Sequence, residues 1–137
     1  MDDGDPLLWE TIQKEIQIIK NEEIKESNRD RARTSKLQEY LGKSLRTATL
    51  KNKLGIVKKL IEEENADPND EDTEGVNSLM IAAMNRHVSA SVLEYLLSLA
   101  DHVNINAQNR YGATALHYVC AKGFEEEVRI LMGSPQY

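Results

Sequence analysis

His117 and Cys120 stand three residues apart, a spacing that puts an imidazole and a thiol on one helix face. The pair offers at most two metal ligands, or a thiol beside a base, whereas a structural zinc site takes four ligands. His87 and His102 fall in loop-like sequence without a partner at a useful spacing. Asp70-x-Asp72-x-Glu74-Gly75 opens like a calcium-binding loop, but the twelfth position, where a bidentate Glu completes such a loop, is Ile81 in an apolar run. Glu125-Glu126-Glu127 begins a helical pattern, where acids complement the helix dipole. The chain has no phosphate-cradling glycine loop, no nucleophile elbow and no paired zinc motif. The sequence therefore assigns no catalytic residue, no metal ligand and no cofactor, and predicts a protein that is not an enzyme.

The elements that must position these residues recur. Tyr111-Gly-Ala-Thr-Ala-Leu-His-Tyr-Val-Cys-Ala-Lys-Gly123, followed by Phe124 to Met132, is one unit. Gly75-Val-Asn-Ser-Leu79-Met-Ile-Ala82-Ala83 aligns with its start, and Val92-Leu93-Glu-Tyr-Leu96-Leu97 with its end. Earlier, Leu45-Arg-Thr-Ala48-Thr-Leu-Lys-Asn52 precedes Ile56-Val57-Lys-Lys-Leu60-Ile61. A first apolar anchor recurs at Leu45, Leu79 and Leu116, spaced 34 and 37 residues apart; a second recurs at Leu60, Leu96 and Leu131, spaced 36 and 35. A period of this size with helical apolar spacing predicts stacked helix pairs. Small residues at Ala48, Ala82, Ala83, Val119 and Cys120 let inner helices approach closely, and Gly75 and Gly112 permit the tight turn before each inner helix.

Gly112-x-Thr114-Ala115-Leu116-His117 resembles the ankyrin signature Gly-x-Thr-Pro-Leu-His, and the eleven-residue step from Gly112 to Gly123 is similar to that family's spacing. Ala66-Asp67-Pro68-Asn69 and Asp101-His102-Val103-Asn104 resemble its inter-repeat segment. The resemblance spans about residues 44–132, in units 44–71, 72–108 and 109–132. It implies an all-α, ankyrin-type helix-turn-helix repeat solenoid. It also implies a structural role for His117, hydrogen-bonded near Thr114, and a buried site for Cys120. The second unit has Asn77-Ser78 for Thr-Pro, Met80 for the His, and about two extra residues around Val88 to Ser91, which should bulge the turn between its helices. The first unit lacks the motif and carries Asn52 where the helix-turn glycine belongs; Asn tolerates the left-handed backbone required there. It reads as an N-terminal capping repeat.

Ahead of the repeats, residues 1–43 form a separate segment. Asp5-Pro6 is a helix start, with Asp as cap and Pro at the first helical position. Leu8, Ile12, Ile16 and Ile19 then predict an amphipathic helix over about 6–26, a polar break over 28–35, and a short helix over 36–41 opened by a capping box at Ser35 and Gln38. The Ile stripe either covers the open end of the repeat stack or serves a partner or a second copy.

The 137 residues carry a formal charge of −6 and one cysteine. No run approaches the roughly 18 consecutive apolar residues of a membrane span. The acidic start Met1-Asp2-Asp3-Gly4-Asp5 is unlike an export signal. With Cys120 alone no internal disulfide forms, which fits a cytoplasmic or nuclear location. Thirteen of the 17 Lys and Arg lie between Lys14 and Lys59, interleaved with acids and with almost no aromatic beyond Tyr40, a pattern that argues against nucleic-acid binding.

The function implied by the resemblance is a protein–protein interaction module or adaptor, its partner unidentified, using a concave surface. The family's variable contact positions fall on Thr73, Glu74, Val76, Met84 and Asn85 in the second unit, and on Arg110, Tyr111, Ala113, Ala121 and Lys122 in the third. Arg110 and Tyr111 are the expected anchors, because both types are enriched at binding hot spots. The alternative is an oligomerising structural protein assembling through the N-terminal helix or an exposed C-terminal repeat. In the latter case Leu116, Val119, Ile130 or Met132 would be partly exposed.

Overall fold

The computed structural model describes residues 5–25, 30–85, 90–99 and 102–122, excluding the side chains of 23–25, 30–35 and 120–122. Six helices follow one another: α1 (Pro6–Lys25), α2 (Asp30–Leu50), α3 (Leu54–Glu62), α4 (Ser78–Met84), α5 (Ala90–Leu97) and α6 (Ala115–Lys122), with no strand among the described residues. Helices α1, α2, α4 and α6 contact one another in that order as an inner row; α3 packs behind α2, and α5 behind α4. The architecture is the all-α repeat stack that the spacing and the resemblance predict. The expected outer helix of the third unit, over 124–132, lies outside the described residues.

Local chemistry explains the boundaries. The Asp5 carboxylate accepts the Leu8 N–H at 3.2 Å and the Asp5 carbonyl that of Trp9 at 2.9 Å, so Asp5-Pro6 caps α1 as expected. Helix α2 is stopped by Asn52, two residues past its end, whose φ of 58° is left-handed, while Lys53 N–H reaches back to the Ala48 carbonyl at 2.9 Å. That is the glycine-type helix stop, made with Asn. Asn77 caps α4 by accepting the Met80 N–H at 2.9 Å.

Two expectations are corrected. The polar break and the short helix over 36–41 are parts of one helix: α2 runs from Asp30 through Ser35, Leu41 and residues 43–44 without interruption. Asp30 to Leu41 contains neither Gly nor Pro and is rich in Arg, Lys, Gln, Glu and Leu, so polarity there marks a solvated helix face rather than a break. Of the positions expected to bulge in the second unit, Ala90 and Ser91 already belong to α5, while 88 and 89 are outside the described residues.

A single apolar seam runs through the stack. It includes Ile12 and Ile16 of α1, Leu41, Leu45 and Ala48 of α2, Leu79, Ala82 and Ala83 of α4, and Ala115 and Val119 of α6. Val57, Leu60, Val92, Leu93 and Leu96 extend it into the outer helices. Leu45 and Leu79 are buried and Leu116 packs half-buried against the same cluster. Of the residues among which partial exposure is expected, Leu116 is half-buried and Val119 fully buried, while Ile130 and Met132 lie outside the described residues.

The Ile stripe is spent inside the chain. Ile12, Ile16 and Ile19 are buried, α1 packs on α2, and its other contacts go to the first repeat: Gln13 donates to the Glu64 carboxylate at 3.1 Å, and the Lys59 ammonium sits 5.4 Å above the Trp9 ring. The two outer helices are joined by Tyr95, whose hydroxyl donates to Glu62 at 2.6 Å with Lys58 over its ring. Burial, and then the Glu62 carboxylate, push the Tyr95 hydroxyl well above its ordinary pKa.

Two substitutions test this packing. Ile16→Ala should lower the unfolding free energy by about 2–5 kcal/mol in urea titration, because it removes buried methyl groups at the α1–α2 contact. Ser78 is 1% exposed and its Oγ has no hydrogen-bond partner. Ser78→Ala should therefore raise the midpoint of thermal unfolding, with a gain on the order of 1 kcal/mol.

Candidate protein-binding surface at the hairpin tips

Two tight turns precede α4 and α6, and one side chain organises each. Asp72 Oδ1 accepts the Glu74 N–H at 2.8 Å and the Val76 N–H at 3.0 Å, while Asp72 N–H donates to the Val76 carbonyl at 3.0 Å. Thirty-seven residues later Asn109 Oδ1 accepts the Tyr111 N–H at 2.9 Å and the Ala113 N–H at 3.1 Å, and Asn109 N–H donates to the Ala113 carbonyl at 3.0 Å. Gly75 and Gly112 close these turns at φ 79° and 78°. The Asp72 carboxylate that suggested a calcium loop is thus bonded to backbone N–H groups, and Ile81 lies within α4. Among the described residues no group of three or more His, Cys, Asp or Glu is placed to hold a metal ion.

The turns stack on one another. Arg110 N–H donates to the Glu74 carbonyl at 2.9 Å. A Cβ added at Gly75 would lie 3.0 Å from the Asn109 Cα, so the glycine also permits this close approach. Deeper in the loops, Asn69 Oδ1 accepts the Asn104 N–H at 2.8 Å and the Asn69 amide donates to the His102 carbonyl. Side-chain amides thus lock successive loops in register where no sheet is present to do so.

That stacking gathers Glu74, Arg110 and Tyr111. The Arg110 guanidinium lies 3.9 Å from the Glu74 carboxylate and 5.5 Å from the centre of the Tyr111 ring, and Tyr111 is 71% exposed. The ion pair is exposed on both sides and contributes little to stability. The arrangement leaves an aromatic face and a cation available for contact. Thr73 is exposed beside them and faces a groove lined by Tyr40 and Arg46. Val76 and Ala113 are half-buried and occupy matching places in the two turns. Met84 and Asn85 sit half-buried at the far end of α4, where the Asn85 amide donates to the Ile81 carbonyl at 2.9 Å. Ala121 and Lys122 belong to α6, their side chains outside the described set. His117 Nδ1 accepts the Thr114 N–H at 3.0 Å, the structural bond that the resemblance implies.

Sequence reasoning did not single out Asp72 and Asn109 as turn organisers. Their signal was present, since each stands three residues before the turn glycine. The groove-lining residues Glu15, Glu39, Tyr40 and Lys43 were also missed, because only tertiary packing brings them together.

A family model described as ankyrin repeats (3 copies) matches residues 45–136. The chain belongs to the ankyrin-repeat family. Ankyrin repeats are a non-enzymatic family and generally act as protein–protein interaction modules. The chain is also similar to an NAD-dependent deacetylase, sir2B, of Dictyostelium discoideum, at 37% identity over 76 residues, which is 56% of this chain and 10% of that protein. It therefore spans about a tenth of that relative's length. No described helix is long and apolar enough to cross a membrane.

The ankyrin turns yield a comparison between their two glycines. Gly75→Ala and Gly112→Ala both place a Cβ on left-handed backbone, a cost of about 1–2 kcal/mol. Only Gly75 also faces a neighbouring backbone, since nothing lies within 4 Å of the Cβ position at Gly112. Gly75→Ala should be the more destabilising in urea unfolding, and equal losses would contradict the stacking of the tips.

Proposed function

We propose that this protein is an adaptor that holds a partner protein against the stacked hairpin tips and the inner-helix wall beside them. The observation that carries the reading is the patch of Glu74, Arg110 and Tyr111, assembled from two repeats by the bond between Arg110 N–H and the Glu74 carbonyl. Tyr and Arg offer large contact area together with polar tips, and such pairs dominate binding energy at protein interfaces. A mobile loop would lose entropy on binding, whereas these turns are already fixed by the side-chain Oδ1 atoms of Asp72 and Asn109. Thr73 extends the patch toward α2; Val76 and Ala113 set the turn shape beneath it; Met84, Asn85, Ala121 and Lys122 belong to the adjoining helix ends.

Assembly of copies through α1 has less to support it. Its apolar stripe is buried within the chain, and the exposed Leu7 and Ile18 lie eleven residues apart among polar neighbours. A cytoplasmic or nuclear setting is proposed on the single cysteine alone.

Affinity capture from the native source, comparing the wild type with the Arg110→Ala, Tyr111→Ala double variant, tests the reading. Stability should change by less than about 0.5 kcal/mol, because both side chains are exposed. Capture of the specific partner should fall by roughly tenfold or more. Undiminished capture would move the binding site away from the tips.

A further inference from the structure

An open groove of about 840 Å³ runs between α1, α2 and the loop before α4. It exists because the first repeat has a helix where the later ones have a hairpin: α2 is helical from Asp30, so among the described residues no turn stacks on the N-terminal side of residues 72–76. The stacking rule between the two present turns shows what is missing. Arg110 N–H donates to the preceding tip, at the Glu74 carbonyl. With a 37-residue offset from Gly75 to Gly112, Thr73 is the counterpart of Arg110. Thr73 lines the groove, and its N–H has no acceptor among the described residues.

Among the described residues the charges of the groove do not balance: Arg46 is held by Asp70, and Lys36 by Glu22 at 2.9 Å, which leaves Lys43 as the remaining described cation of the wall. Glu15, Glu39 and Glu71 are exposed carboxylates of the same groove with no ion-pair partner among the described residues. The half-buried Tyr40 ring lies among them, a surface suited to the aliphatic stems of Lys or Arg. A helical ligand has its mid-chain carbonyls bonded internally and offers none to Thr73, whereas an extended chain leaves alternate carbonyls free.

We propose that the groove binds an extended, basic peptide segment of a partner protein, seated where a first hairpin would lie. A backbone carbonyl of the segment accepts the Thr73 N–H, and its Lys or Arg side chains meet Glu15, Glu39 and Glu71. This rests on the protein-binding reading above and extends it from the tips, through Thr73, into the groove.

The test is a fluorescence-anisotropy titration of the full chain with a labelled peptide of alternating arginine and serine, and with its glutamate–serine counterpart. The basic peptide should bind and the acidic one should not. Glu39→Lys with Glu71→Lys should weaken binding by roughly tenfold. Thr73 is the second residue of the turn that Gly75 N–H closes onto the Asp72 carbonyl at 3.0 Å. Proline is favoured there, so Thr73→Pro removes the N–H and keeps the turn. That variant should melt like the wild type and bind the basic peptide at least several-fold more weakly. The charge-reversed pair lies on exposed side chains and keeps the test valid if Thr73→Pro is unstable. Absence of binding by the basic peptide, equal binding by both peptides, or insensitivity to the charge reversal would each overturn the groove proposal. Capture that depends on Arg110 and Tyr111 would still stand in those cases, whereas loss of that dependence with peptide binding intact would remove the tip reading alone.

Discussion

A pair of short helices carries apolar residues toward both of its neighbours, so each layer of this protein is stable only because another layer lies against it. The seam from Ile12 to Val119 is the result: α2 and α4 each give one side to the inner helix before it and the other to the inner helix after it. Small residues set the spacing of the layers. Ala48, Ala82 and Ala83 are 3% exposed or less, and larger side chains there would separate the inner row. On the N-terminal side of the first repeat, α1 covers the apolar face with Ile12 and Ile16.

The proposed contact surface follows from the same stack. Once the inner helices are in register, the turns that precede them fall into register too, and Asp72, Asn109, Gly75 and the Asn69 amide convert that proximity into defined backbone bonds. Exposed side chains on such turns are held apart from the core that fixes their position. Glu74, Arg110 and Tyr111 can therefore vary with little cost to stability. The cap and the surface are also coupled: by being helical where a hairpin would stand, α2 joins the first repeat to α1 and opens the groove beside Thr73.

Features written in residue types were legible in the sequence. Asn52 in place of the helix-turn glycine, Gly75 and Gly112 at the turns, Asp5-Pro6 at the start of α1, and the His117–Thr114 bond all follow from a local preference or from the repeat motif. The helical course of residues 30–35 was not, because a polar run with good helix propensity looks the same as a solvated linker until its neighbour Leu41 is seen in the core. Nor was the groove, since Glu15, Glu39 and Glu71 come from three separate elements. Of the expected site, Thr73, Glu74, Arg110 and Tyr111 come together at the tips, while Met84 and Asn85 lie at the other end of α4.

Removing α1 outright examines the dependence of the stack on its neighbours most directly. Circular dichroism and urea unfolding of the chain lacking residues 1–29 should show lost helicity well beyond the deleted segment and no cooperative transition, because Leu41 and Leu45 would then face water. A truncated chain that unfolds cooperatively at the same urea midpoint as the full one would show that the repeats stand without their cap, and the account of the fold given by the apolar seam would be wrong.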